Sequence, residues 1–282
     1  MLCLFNIYNM NRENKILLSL LPYDNEEFKL KMLQDGASFK EIMRALKYYR
    51  CDRIDERIDN INKYNTVFFN EREYPKFLGN LRIPPMRIQS TSGFPKDDEY
   101  KIGLVSSRIT SFEGLKGLTD FILQSKRNNI TLMSFGRSGN FFMEDKFKEI
   151  GASRYSILSY GISDCYFSSD DSILLSTYEP KEKSNKSMKY SMYEVFGIIC
   201  NAVVLFEING EFDINKVVNS TLDCGGNLYL NRCGMHCNKN YNKALKLLLE
   251  GAPLISNLCD IDDFTYDYLN HEVVYPSYLF RN

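Results

Sequence analysis

The sequence has no tryptophan, only two histidines and no excess of charge of either sign. Its 282 residues include 35 basic and 36 acidic side chains, which gives a formal net charge of −1. Because this balance provides no global basic field, any nucleic-acid site must be a local patch. The two histidines, His236 and His271, leave little material for histidine-based catalysis.

Long apolar runs and secretory features are also missing. No segment approaches the roughly 18 apolar residues of a membrane-spanning helix. The apolar stretch 1–8 is too short for a signal peptide, and the basic residues Arg12 and Lys15 follow it instead of preceding it. The eight cysteines show no framework spacing, which favours reduced thiols. We therefore expect a soluble protein of the cytoplasm without disulfides.

Residues 1–68 are predicted to form a small helical domain. Ser38, with Glu41 three residues later, has the pattern of a capping box at a helix start. The apolar residues after Ser38, among them Ile42 and Leu46, keep the helical period.

From Tyr100 onward, apolar strand-like runs alternate with helical segments. The predicted strands are 102–106, 130–134, 155–159, 172–177, 202–208, 227–230 and 253–256. The predicted helices between them are 112–126, 142–150, 188–199, 213–223 and 241–250. Continuous apolar strands require a sheet that is covered on both faces. The pattern predicts an α/β domain over 69–262, with a mostly parallel sheet, followed by a tail at 263–282.

Two of these predicted strands end in small residues and an arginine. In open α/β sheets, ligands bind at the carboxyl ends of the strands. Small residues with an arginine at two neighbouring strand ends therefore predict an anion pocket for a phosphate, free or in a nucleic-acid backbone. The residues expected to contact the phosphate are Ser107, Arg108, Arg137, Ser138 and Gly139.

Several short motifs appear in a recognisable order over roughly residues 15–262. They are Glu73-Tyr74-Pro75, Ile83-Pro84-Pro85, Val105-Ser106-Ser107-Arg108 with Gly114, Ser134 to Gly139, Ser156 to Ile162, Leu174 to Pro180 and Leu248 to Ile255. Their order and spacing resemble the DNA-processing protein A family, DprA, also called Smf.

The resemblance implies a helical N-terminal domain and an extended Rossmann-like domain. In that family the second domain forms homodimers, binds single-stranded DNA and helps to load the RecA recombinase. The resemblance therefore implies a non-enzymatic protein of DNA uptake or recombination, without a cofactor. Its expected partners are single-stranded DNA, a RecA-type recombinase and a second copy of the chain.

The sequence departs from the family pattern where function is expected. The family's Arg-Asn-Arg falls on Met192-Tyr193-Glu194, and its Gly-Ile-Asp falls on Gly139-Asn140-Phe141. We expect the tail after residue 262 to contain no winged helix. Two interpretations stay open: a single-stranded DNA-binding recombination mediator with reduced affinity, or a repurposed nucleotide-binding or regulatory module that has lost DNA contact.

Each candidate residue also has a purely structural interpretation. Arg108 would form an ion pair with a neighbouring helix, and Ser107, Ser138 and Gly139 would be ordinary turn residues. Arg137 is offset by one residue from the basic position of the family, which Ser138 occupies. Lys47-Tyr48-Tyr49-Arg50 places aromatic rings beside cations, which suits stacking on single-stranded bases. The commoner interpretation of that segment is a half-buried helix end.

Neither metal binding nor catalysis is favoured by the remaining motifs. Cys233 and Cys237 have three residues between them, one of which is His236, while Cys224 stands alone. Because a structural zinc site needs paired ligands, free thiols are the preferred interpretation. No Gly-x-Ser-x-Gly is present, and Cys224 to Asn227 precedes a predicted strand, whereas a nucleotide-cleaving glycine loop would follow one.

The last third of the α/β domain has the features of a dimer interface. The short strand 227–230 is expected near an edge of the sheet, and helix 241–250 has an apolar arc wider than one core-facing stripe requires. The alternative is that the tail 263–282 or the N-terminal helices cover this surface.

Overall fold

The computed structural model describes residues 10–106, 111–127, 130–135, 141–152, 154–164, 172–206, 214–234 and 241–261. These residues form two compact units. The first unit comprises the described residues within Met1–Phe94, Leu158–Phe167 and Ile173–Lys189. The second comprises those within Pro95–Ile157, Ser168–Ser172 and Tyr190–Asn282.

The elements are numbered in chain order. The helices are α1 (Arg12–Ser19), α2 (Glu26–Gln34), α3 (Phe39–Tyr48), α4 (Ile54–Asn62), α5 (Phe112–Arg127), α6 (Phe141–Ile150), α7 (Lys186–Ile199), α8 (Ile214–Asp223) and α9 (Tyr241–Leu249). The strands are β1 (Asn65–Phe68), β2 (Arg87–Ser90), β3 (Lys101–Val105), β4 (Thr131–Phe135), β5 (Arg154–Ile157), β6 (Ser172–Ser176), β7 (Ala202–Leu205), β8 (Asn227–Asn231) and β9 (Leu254–Ile255). Among the described residues, no helix combines the length and apolar character needed to cross a membrane.

The first unit contains helices α1 to α4 and three antiparallel strands. The predicted capping box of α3 is confirmed, since Ser38 and Glu41 satisfy each other's backbone N–H groups. Strand β2 pairs with β1 on one side and with β6 on the other. The sequence did not predict β1 and β2, because both are short and bury polar side chains. Gln89 of β2, for example, donates to the Thr66 hydroxyl of β1 over 3.0 Å.

Buried and partly buried charged side chains tie the elements of the first unit together. The Arg57 guanidinium of α4 donates to both carboxylate oxygens of Glu179, with the Nε contact at 2.7 Å. Arg87 of β2 is fully surrounded and donates through Nη1 to the Ser19 carbonyl over 2.8 Å. These contacts hold the end of α1 and the segment after β6 to the same small core.

A second buried ion pair lies in α2. Lys29 Nζ is 2.6 Å from Glu26 Oε1, and the other Glu26 oxygen accepts from the Met86 N–H over 2.8 Å. Burial lowers the pKa of Lys29 and raises the pKa of Glu182. A cavity with room for about one water molecule lies among these groups.

The second unit is built on six parallel strands in the order β5-β4-β3-β7-β8-β9. Ile102 and Leu104 pack with the α5 residue Phe121 in one apolar cluster. Gly103, which points to the other face, lies against Phe196 of α7, since a Cβ there would come within 2.6 Å of its ring. Helices thus cover both faces of β3, and the predicted Rossmann-like α/β fold is confirmed.

The edge of this sheet differs slightly from the expected one. Strand β8 was expected near an edge, and β9 pairs with its outer side through Leu230 and Leu254. The two-residue β9 is therefore the last strand described at this end.

Candidate nucleic-acid interface

The carboxyl ends of four neighbouring strands lie level at one edge of the second unit. Val105 of β3 pairs in register with Leu205 of β7, and Leu205 pairs with Leu230 of β8. On the other side, Gly103 pairs with Met133 of β4. The segments that leave β4, β3, β7 and β8 therefore start side by side, as the sequence analysis predicted for β3 and β4.

Helices α5 and α6 are the next elements after strands β3 and β4. Helix α5 begins at Phe112, where the Ser111 hydroxyl accepts from the Gly114 N–H over 3.0 Å and caps the helix. Helix α6 begins at Phe141, six residues after the end of β4. The free N–H groups and the dipole of a helix N-terminus attract anions. This edge therefore combines level strand ends with two helix starts.

All five predicted phosphate contacts, Ser107, Arg108, Arg137, Ser138 and Gly139, lie outside the described residues. The residues that flank them are described. Ser106 is buried at the end of β3. Ser134 of β4 is fully buried, and its hydroxyl lies 3.0 Å from the Ser156 hydroxyl of β5. This hydroxyl pair is a bond within the sheet.

Three described residues at this edge were not predicted. Phe112, at the first position of α5, is 78% exposed. Arg232 follows β8 directly and is exposed, and Lys116 is exposed on α5. The signal for Arg232 was present, because Leu230-Asn231-Arg232 repeats the pattern of an apolar strand that ends in a small polar residue and an arginine.

A close contact brings together the two backbone segments that carry two of these cations. Gly117 of α5 packs against the turn after β8, and a Cβ there would come within 2.7 Å of the Cys233 Cβ. Lys116 and Arg232 are the chain neighbours of these two residues. Asn231 lies at the same contact, where its Oδ1 accepts from the Cys233 N–H over 2.9 Å. Its buried Nδ2 has no hydrogen-bond partner among the described residues.

Helix α7 carries no cation at residues 192–194, the position of the family's Arg-Asn-Arg. Met192 is buried, and the Tyr193 ring makes an edge contact with Phe135 at a centroid distance of 5.3 Å. The Glu194 carboxylate is 3.1 Å from Lys216 Nζ of α8. This stretch therefore supplies packing and an internally neutralised acid.

The cysteine cluster is only partly described. Cys233 is a free, partly exposed thiol, whereas His236 and Cys237 lie outside the described residues. Within the described ranges, no three His, Cys, Asp or Glu side chains are placed to hold a metal ion.

These features define a Rossmann-like α/β protein whose level strand ends are accompanied by two helix N-termini. Two solved structures with this architecture are DprA proteins. The chain aligns with DprA from Streptococcus pneumoniae over 92% of its own length and 94% of that chain, at 18% identity and a TM-score of 0.65. With DprA from Helicobacter pylori, described for its single-stranded DNA binding mode, it aligns over 73% of its own length and 98% of that chain, at 14% identity and a TM-score of 0.59.

No protein-family model and no curated protein sequence matches the chain. The similarity to the two solved structures shows that the chain is DprA-like in fold. The resemblance to the DprA family that the motifs indicated is therefore confirmed for the fold.

Proposed function

We propose that the protein binds single-stranded DNA through its phosphate backbone at the carboxyl edge of the second unit. The observation that supports this most is the set of level strand ends beside the starts of α5 and α6, in a chain with the DprA fold. Such an arrangement offers backbone N–H groups and cations to phosphates without reading the bases.

Described side chains extend the predicted phosphate contacts. Arg232 and Lys116 add two exposed cations to Arg108 and Arg137. The exposed ring of Phe112 offers a surface on which a base can stack. Glu113, in the first turn of α5, opposes an anion at that helix start. Binding is therefore expected to be weak and to depend strongly on salt.

The test is fluorescence anisotropy with a labelled oligo-dT at a series of salt concentrations. If two or three of these four cations contact phosphates at the same time, log affinity against log salt should have a slope of about −1.4 to −2.1. Arg108→Ala should remove most of the binding, and Arg232→Gln should make the slope shallower by about 0.7. Lys96→Gln is the matched control, because Lys96 is an exposed cation that precedes β3, away from its carboxyl end. Tight binding that persists in high salt, or an Arg108→Ala variant with full affinity, would refute the proposal.

Glu194 lies where the family has an arginine, and its carboxylate pairs with Lys216, so this part of α7 offers no arginine to DNA. This observation favours the second candidate function, a repurposed nucleotide-binding or regulatory module. The same edge would then hold one phosphate group instead of a strand. In that case oligo-dT should not bind, while a mononucleotide should raise the thermal midpoint. No change with either ligand would exclude both DNA binding and nucleotide binding.

Dimerisation through the outer end of the second unit is part of the proposal. Leu249 at the end of α9 is 80% exposed, and Leu254 on the edge strand β9 is 37% exposed. A second copy would cover these side chains. Light scattering at micromolar concentration should give twice the 32.9 kDa chain mass, and a Leu249→Glu variant should return to a single chain. A monomeric wild type would leave the tail 263–282 or the N-terminal helices as the cover.

The biological role that we propose is to assist a RecA-type recombinase on the bound strand, by binding and without catalysis. A recombinase-dependent strand-exchange assay with the wild type and Arg108→Ala tests this role. Stimulation that survives the loss of DNA binding would contradict it.

A further inference from the structure

The solvent face of α3 carries a continuous basic and aromatic stripe. Lys40, Arg44, Lys47 and Tyr48 recur at the spacing of one helix face, and all four are exposed. The opposite face is apolar, with Ile42 and Leu46 fully buried in the core of the first unit. The helix therefore does not need the stripe for packing. We call Lys40, Arg44, Lys47, Tyr48 and the adjacent Arg50 the α3 stripe.

The α3 stripe is strongly positive in a chain that is almost neutral. Residues 40–50 contain four basic side chains and one acidic one, Glu41, for a local net charge of +3 against −1 for the whole chain. The Glu41 carboxylate accepts from the Ser38 N–H and hydroxyl at 2.7 and 2.6 Å, and so serves as the helix cap. None of the ion pairs found among the described residues involves a cation of the stripe.

Tyr48 presents an aromatic ring in the middle of these charges. It is 80% exposed, the highest value among the large apolar side chains of the first unit that are described as exposed. Its ring meets Tyr49 edge-on at a centroid distance of 5.1 Å, and Tyr49 in turn lies 6.1 Å from Phe28. The ring is thus supported on one side while most of its surface faces solvent.

Arg50 occupies a backbone position that glycine would adopt with less strain. The Cys51 N–H donates to the Leu46 carbonyl and the Arg50 N–H to the Lys47 carbonyl, at 2.9 and 3.1 Å. This is the Schellman pattern, in which the residue after the helix cap is left-handed and usually glycine. Here it is an arginine with a φ of 54°. A strained, exposed arginine beside an exposed tyrosine indicates that the side chain serves a purpose other than folding.

From these observations we propose that the α3 stripe is a second contact surface for single-stranded nucleic acid, in which the cations bind phosphates and Tyr48 stacks on a base. The inference rests on the proposed function in sharing its ligand, but it uses none of the residues at the strand ends. Stacking on an aromatic ring amid cations is the general mode of sequence-independent single-strand binding. A lipid surface fits less well, because no aliphatic side chain belongs to the stripe.

The absence of tryptophan from the sequence allows a direct test. Tyr48→Trp, Phe112→Trp and Leu222→Trp each introduce a single reporter at an exposed position, in the α3 stripe, at the strand-end interface and on α8 respectively. Titration of the full chain with oligo-dT should quench the Tyr48→Trp emission through stacking and leave the Leu222→Trp emission unchanged. Phe112→Trp reports on the proposed function separately.

Affinity measurements supply the second arm. Tyr48→Ala should weaken oligo-dT binding at least about fivefold, the lower end for the loss of one base stack, whereas Tyr48→Phe should keep the wild-type affinity. Arg44→Gln with Lys47→Gln should weaken binding more than Arg72→Gln with Arg82→Gln, which removes two exposed cations of the same unit outside the stripe. Arg50→Gly should weaken binding without lowering the thermal midpoint.

The outcomes separate the two proposals. Quenching at Tyr48→Trp without quenching at Phe112→Trp would support the α3 stripe and count against the strand-end interface. Quenching at Phe112→Trp alone would overturn the inference and leave the proposed function standing. Equal quenching of Tyr48→Trp by polyphosphate, which has no bases, would overturn the stacking claim, and a chain that binds no oligonucleotide would overturn both.

Discussion

The two units of the chain use different kinds of core. In the second unit the central strands β3 and β7 bury four aliphatic side chains completely: Ile102, Leu104, Val203 and Val204. Phe121 of α5 is buried in the same unit. In the first unit an apolar helix cluster coexists with buried Lys29, Arg87 and Gln89. Apolar burial thus dominates the centre of the second unit, although that unit also buries the cations Lys101 and Arg154. The first unit instead places carboxylates beside its enclosed cations Lys29 and Arg57.

The two kinds of core should lose stability for different reasons when their residues are replaced. Removing apolar volume from a core leaves a cavity, and the loss of stability scales with that cavity. Removing one member of a buried ion pair leaves an uncompensated charge, whereas replacing both members is often neutral. Truncating Phe196 in the second unit and Arg57 in the first tests whether this contrast is real.

The largest effect is expected in the second unit at Phe196. Its ring stacks on Phe135 at a centroid distance of 4.1 Å and packs directly on Gly103. Phe196→Ala should lower the free energy of unfolding by about 3–5 kcal/mol. Chemical denaturation measures this loss. Phe112→Ala, which truncates an exposed ring, is the control and should change stability by less than about 0.5 kcal/mol.

In the first unit, Arg57→Ala should lower the free energy of unfolding by about 2–3 kcal/mol. This is below the range of about 3–5 kcal/mol for fully buried pairs, because the side chains of Arg57 and Glu179 remain 22% and 18% exposed. The double variant Arg57→Met with Glu179→Leu should recover much of the loss. A double variant as unstable as the sum of the two single ones would show that the pair is not the source of the effect.

The sequence predicted the second unit better than the first for a physical reason. Runs such as 202–206 are apolar throughout, and a buried parallel strand imposes that pattern. Strands β1 and β2 carry Thr66, Arg87 and Gln89 into the interior, where they bond to partners distant in sequence. Arg87 Nε and Gln89 Oε1 have no hydrogen-bond partner among the described residues. Such long-range partners cannot be identified from local periodicity.

The candidate site shows the same limit. Strand ends followed by small residues and an arginine correctly located the edge formed by β3 and β4, because register in a parallel sheet follows from topology. Phe112 and Arg232 were missed. Their place in the proposed interface depends on exposure and on the packing of Gly117 against Cys233, which only the folded chain reveals.

A smaller and pH-dependent effect is expected at Glu182. Burial raises its pKa above the ordinary value of 4.5, with a smaller contribution from the Glu179 carboxylate. The hydrogen bond from the Glu179 N–H and the charges of Arg87 and Lys29 oppose this rise. The folded chain therefore holds this proton more tightly than the unfolded chain, so the stability it contributes is complete below pH 4.5 and is lost as the pH rises through the raised pKa.

Because glutamine resembles the protonated form, Glu182→Gln should have a higher thermal midpoint than the wild type at pH 7 to 8. The difference should shrink as the pH falls and vanish near pH 4.5. Midpoints measured from pH 4 to 8 test the sign. A difference that grows toward acid would mean that Glu182 is stabilised as the carboxylate, and the first unit would then depend on its buried charges still more.

The smallest expected change is at Arg50, and it distinguishes a residue kept for folding from one kept for binding. A left-handed conformation costs a non-glycine residue about 1–2 kcal/mol, whereas glycine adds about 0.5–1 kcal/mol of unfolded-state entropy. Since the Arg50 side chain is exposed and its φ is 54°, Arg50→Gly should leave stability unchanged or raise it by up to about 1 kcal/mol. Arg50→Ala, which keeps the strain and removes the charge, is the matched control and should give no such gain. If Arg50→Gly instead unfolds the first unit more readily, the arginine stabilises the turn, and its place in the α3 stripe needs no functional explanation.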